Sequence, residues 1–188
     1  SGASIELDAH NGNFVSKNAG TEFSVANSAY AGMILGYRMI GEDTGRVSYT
    51  VTTSFVVPDD KLTVRFIAPP SGAVEIMAQF KVDSASGTTI YAGLSDANAT
   101  SGYNQLGNTY EQTVGKVDET DDQTTQHYWT ITELTAGDTY NYWIGFKKAG
   151  GVGVSTISWA GTSSGEHCDF IIKVTSLPTA VSDFAVYE

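Results

Sequence analysis

Val74-Glu75-Ile76-Met77-Ala78-Gln79-Phe80-Lys81-Val82 decides the fold class. Val74, Ile76, Ala78, Phe80 and Val82 alternate with Glu75, Met77, Gln79 and Lys81. A period of two puts one apolar row on one face of a strand; a helix would need apolar residues every three to four positions. The same alternation recurs at Leu62, Val64 and Phe66, at Tyr140, Tyr142, Ile144 and Phe146, and at Cys168, Phe170, Ile172 and Val174. Turn-forming clusters separate these runs: Pro58-Asp59-Asp60, Pro69-Pro70-Ser71-Gly72, Ala136-Gly137-Asp138 and Ser163-Ser164-Gly165. Strands are predicted near 47–57, 61–67, 73–82, 88–94, 109–117, 125–134, 139–147, 152–160, 167–177 and 183–187. So many short strands, with no convincing helix, predict an all-β antiparallel sandwich or barrel.

Composition agrees. The 188 residues include Val 16, Ile 11 and only Leu 7. β-branched residues favour the pleated sheet over the helix. Residues 47–188 carry the regular alternation. Residues 1–46 are rich in Gly, Ala, Asn and Ser, with short apolar bursts such as Met33-Ile34-Leu35, and are expected to form an extended or irregular stalk-connecting segment. Ser1-Gly2-Ala3-Ser4 lacks the basic stretch of a secretory signal and reads as the start of a fragment.

The net charge of −11 rests on 21 carboxylates against 10 Lys and Arg. So few dispersed cations cannot neutralise a row of phosphates, so nucleic acid is not an expected partner. No apolar run approaches the roughly 20 residues of a membrane helix, and no membrane insertion is expected. A single cysteine, Cys168, excludes an intrachain disulfide framework.

Catalytic signals are weak. Gly161-Thr162-Ser163-Ser164-Gly165 fits G-x-S-x-G, but a strand follows where a nucleophile elbow needs a helix, so the match reads as a turn. His10, His127 and His167 share no metal-ligand spacing. Asp118, Glu119, Asp121 and Asp122 form an oxygen-rich cluster. It lacks the glycine and terminal glutamate of an EF-hand loop, so a solvated loop is preferred over calcium, and no cofactor is expected. The chain reads as a non-enzyme. Recognition is expected in the polar loops 95–108 and 118–124, with Asn98, Tyr103, Asn104, Tyr110, Asp121 and Asp122 as receptor-contact candidates. Trp129, Trp143 and Trp159 are candidates for an outward aromatic platform or a subunit interface.

Two resemblances follow. Leu134-Thr135-Ala136-Gly137-Asp138-Thr139-Tyr140 is similar to the tyrosine-corner turn of fibronectin type III domains. Phe66-Ile67-Ala68-Pro69-Pro70-Ser71-Gly72-Ala73-Val74-Glu75-Ile76, Ile90-Tyr91-Ala92-Gly93-Leu94-Ser95, Tyr142-Trp143-Ile144-Gly145-Phe146-Lys147 and Asp169-Phe170-Ile171-Ile172-Lys173-Val174 together resemble the C-terminal domains of tailed-bacteriophage fibre and appendage proteins. The likeness spans roughly residues 20–188. It implies a jelly-roll sandwich resembling the tumour-necrosis-factor fold, with a stalk entering from the N-terminal side.

Function is then expected as follows. The chain is a structural protein of the virion, the head of a homotrimeric fibre or appendage. It joins other virion proteins through its N-terminal side and attaches to a host surface glycan or protein. A capsid decoration or head-fibre protein is the close alternative. A secreted carbohydrate-binding or adhesion module is the other, and a hydrolase is the weakest.

Overall fold

In a computed structural model of the chain, the described residues are 4–8, 13–18, 21–22, 28–41, 47–84, 88–106, 112–116, 123–150, 153–160 and 168–178. The elements run β1 (Ser4–Asp8), β2 (Asn13–Asn18), β3 (Thr21–Glu22), β4 (Ile34–Ile40), β5 (Val47–Thr50), β6 (Thr63–Ile67), β7 (Val74–Ser84), β8 (Thr89–Ser95), β9 (Gln112–Lys116), β10 (Gln123–Ile131), β11 (Thr139–Lys148), β12 (Ser155–Trp159) and β13 (Phe170–Ser176). All pairings are antiparallel, as the alternating patterns require.

β1, β2 and β3 form a small sheet of their own. The remaining strands form two sheets, one containing β4, β13, β7, β12, β5 and β10, the other ordered β6-β11-β8-β9. Ile34–Ile40 falls within the segment expected to be extended, yet it pairs along β13 as an edge strand of the sandwich. Its alternation was hidden by Gly36 and by polar positions on a strand that has a neighbour on one side only.

Two pairs of strands are collinear. β12 and β13 lie end to end along β7: Ser158 stands opposite Lys81, and Ile171 opposite Gln79. The Ala160 N–H donates to the Cys168 carbonyl at 3.1 Å and closes the neck of the excursion between them. β4 and β5 follow the same path on its far side, with Ile40 opposite Phe170 and Val47 opposite Trp159. Counting each collinear pair as one run, chain order across the first sheet is first, eighth, third, sixth, and across the second it is second, seventh, fourth, fifth. The first run pairs with the eighth, the second with the seventh, the third with the sixth and the fourth with the fifth. A long antiparallel hairpin rolled over on itself produces that order, and it is the jelly-roll topology.

The inner rows fill the interior. Ile76, Ala78, Phe80 and Val82 of β7, Ile90, Ala92 and Leu94 of β8, Ile144 and Phe146 of β11, and Phe170, Ile172 and Val174 of β13 are all buried. Phe80 meets Phe146 of the opposite sheet edge-on at 4.9 Å, and Phe170 stacks on Phe80 at 5.5 Å. Burying each such ring stabilises the fold by roughly 1.5–3 kcal/mol relative to exposure. The Leu134–Tyr140 turn forms the local geometry that its likeness implies, the Tyr140 hydroxyl accepting from the Thr135 N–H at 3.0 Å. It does so within a jelly roll, so the turn is shared but the fibronectin fold is not.

Candidate functional site

Three surface features stand apart from the core: a pinned loop end, a hollow at the seam of the two sheets, and the outer face of the first sheet.

The loop end contains most of the described recognition candidates. Gly93 of β8 stands opposite Gly145 of β11. The Tyr103 ring folds back over this pair, and a methyl group at either glycine would overlap it. Phe55 stacks on Tyr103, with centroids 4.4 Å apart. Lys147 Nζ caps the Phe55 ring at 4.7 Å. Tyr103 is therefore a structural wedge between loop and sheet and not a freely presented contact residue.

The rest of the loop is bound as tightly. The Asn98 side-chain oxygen accepts from the Ser101 N–H at 2.8 Å, a local bond that fixes the loop backbone. Asn104 Nδ2 donates to Asp96 at 2.5 Å, and the Asn104 N–H donates to Ser95 Oγ at 3.0 Å. Asp60, from a separate loop, accepts from the Ala99 N–H at 2.6 Å and the Thr100 hydroxyl at 3.1 Å. The Asp60 carbonyl accepts from Trp143 Nε1 at 3.2 Å. Trp143 is half-buried and ties the Asp60 loop to β11. Sequence reasoning missed Asp60, because only folding brings it to residues 39 and 40 positions away.

Trp129 and Trp159 correct the platform expectation. They are 0% and 1% exposed within a single chain, so neither offers a face to a sugar or to a second subunit. Both lie on inward rows: Trp129 stands opposite Ile76, and Trp159 meets Phe170 edge-on at 5.7 Å. Tyr110, Asp121 and Asp122 lie outside the described residues, as do Asp118 and Glu119 of the calcium candidate and Gly161–Gly165. Among the described residues no three His, Cys, Asp or Glu side chains converge as a metal site.

The seam lies between the edges β4 and β6. Gly36 rides directly on β6: a Cβ there would stand 2.9 Å from the Arg65 carbonyl oxygen and 3.0 Å from Val64 Cγ2. This close approach opens a hollow of about 360 Å³ lined by Tyr37, Arg38, Thr63, Val64, Arg65 and Asn141. The Thr63 hydroxyl, with one proton to give, lies 2.9 Å from the Tyr142 carbonyl and 2.8 Å from the Asn141 side-chain amide.

The outer face of the first sheet carries the outward rows of four neighbouring strands. Register aligns Tyr37, Lys173, Met77 and Tyr128 in one row, and Met39, Ile171, Gln79 and Gln126 in the next. Ile34, Tyr37, Met39 and Tyr128 are exposed large apolar residues. The adjoining row of Ile34, Thr175, Glu75 and Thr130 adds a single carboxylate.

No known sequence family matches the chain, and no curated protein is similar to it in sequence. Among solved structures, it is similar to the structure of infectious bursal disease virus Gx strain, at 10% identity and a TM-score of 0.37, covering 94% of this chain and 42% of that one. A VP2 subviral particle of infectious bursal disease virus gives 12% identity and a TM-score of 0.24, covering 92% of this chain and 44% of that one. T=1 particles derived from that virus give 11% identity and a TM-score of 0.22, covering 92% and 43%. This chain spans less than half the length of the chains it matches. Likeness at these TM-scores falls short of a common fold and identifies neither a family nor a role.

Proposed function

We propose that this chain is a non-enzymatic structural domain of a virus particle that associates with copies of itself through the outer face of the first sheet. Jelly rolls recur in capsid and lectin domains, and fold alone does not choose between such roles. One observation carries the choice: the neighbouring apolar pairs Met77–Tyr128 and Met39–Ile171 on the outer face of an otherwise strongly acidic molecule. Two chains of net charge −11 repel each other. The described charged side chains of this face, Glu75 and Asp169 against Lys173 and Lys81, balance, so a second copy meets less repulsion here than the net charge of the whole chain implies.

In the finer form of this reading, the assembly is a trimer, the head of a bacteriophage fibre or appendage. Its loop end points outward to a host surface glycan or protein, and its N-terminal side joins other virion proteins. A capsid decoration or head-fibre role uses the same face. The absence of disulfides supports self-association, because subunit burial supplies robustness that crosslinks do not.

Mass measured in native solution tests the proposal. The parent chain is expected as a stable oligomer, a trimer in the finer form, and Met39→Glu with Tyr128→Glu as a folded monomer. A parent chain that stays monomeric at high concentration overturns the self-association reading and leaves a monomeric saccharide-binding module as the stronger one.

A further inference from the structure

We infer that the hollow between β4 and β6 is a binding site for an acidic saccharide, with Arg38 and Arg65 pairing its carboxylate or sulfate and Tyr37 stacking on its ring. The inference deepens the attachment reading and rests on it for its biological meaning; its chemistry stands on the hollow itself.

The chain has three arginines, Arg38, Arg46 and Arg65, and two of them line this one hollow. They come from different sheets, and Gly36 lets their strands approach this closely. Among the described residues neither guanidinium has an ion-pair partner. Two arginines lining one hollow form a cationic spot on an acidic protein.

The remaining lining has the same polarity. The Asn141 side-chain amide, beside the Thr63 hydroxyl, adds a polar group to this lining. Guanidinium forks bind carboxylate or sulfate oxygens in pairs. The Tyr37 ring beside them is 56% exposed, an aromatic face of the kind on which the C–H side of a sugar ring packs. At about 360 Å³ the hollow suits one terminal residue of a glycan. A nucleic acid would need cations along its backbone, and the rest of this acidic surface repels it.

Calorimetric titration with trigalacturonate, sialyllactose and a heparin tetrasaccharide tests the site. Saturable binding of at least one probe is expected, weakening with added salt. Arg38→Gln or Arg65→Gln should lower its affinity at least tenfold, whereas Lys148→Gln, the same loss of charge at the far end of β11, should not. Methyl-esterified trigalacturonate should bind no better than water-like background. Failure of all three probes, equal binding by the arginine variants, or equal binding of a single-stranded oligonucleotide overturns the inference. Sedimentation of the same samples separates the two readings. An intact oligomer without binding removes the site alone, and a monomer that binds removes the assembly reading alone.

Discussion

The Tyr103 ring lies flat against Gly145, so the loop it belongs to is seated on bare backbone. Gly145→Ala forces the ring off this seat, and overpacking of this kind costs about 1–3 kcal/mol. Urea denaturation reads the loss. The double variant with Tyr103→Ala should recover part of it, because the added methyl then has no ring to meet. If the two effects simply add, the wedge is not what holds the loop.

Asp60 ties two loops through one carboxylate. Asp60→Ala leaves the Ala99 N–H without its 2.6 Å partner. Loss of such bonds on an exposed loop is expected to cost about 1 kcal/mol overall. The sharper readout is local. Amide exchange at Ala99 should accelerate markedly while exchange in β8 and β11 stays slow. The Trp143 indole bond uses the Asp60 main-chain carbonyl, so it should survive the substitution.

How much of this was legible in the sequence depends on whether a feature is local. The alternation in Val74–Val82 gave a correct inner row, since each apolar position there is buried. Glycine- and proline-bearing turns bounded the strands because they act within a few residues. Trp129 and Trp159 were ambiguous for the opposite reason: period two states that neighbours face opposite ways but not which way is inward. The pairing of first run with eighth, the Asp60 clasp and the meeting of Arg38 with Arg65 link residues far apart in the chain. They follow from topology, which no local pattern encodes.

Glu133 adopts a left-handed backbone, with φ of 63°. That conformation costs a side-chain-bearing residue about 1–2 kcal/mol, whereas glycine enters it freely. Glycine also carries about 0.5–1 kcal/mol of extra unfolded-chain entropy. Glu133→Gly is therefore expected to stabilise the fold slightly, by up to about 1 kcal/mol, seen as a raised urea midpoint with an unchanged slope. A lowered midpoint would mean that the Glu133 side chain makes a contact worth more than the strain.

His127 lies on the inward row of β10, with its ring 4.7 Å from Trp129. Burial lowers its pKa below the ordinary 6.5, because the charged imidazolium loses its hydration there. The unfolded chain therefore binds the proton first as pH falls. The stabilisation due to neutral His127 is complete above pH 6.5 and declines as pH drops through and below that value. Urea midpoints at successive pH values between about 7.5 and 5 should fall for the parent chain, and the fall should be shallower for His127→Gln. His10 and His167 remain in that variant, so the difference between the two curves isolates this one ring. Parallel curves would mean that the imidazole titrates alike in the folded and unfolded chains, and that its position beside Trp129 does not keep water from it.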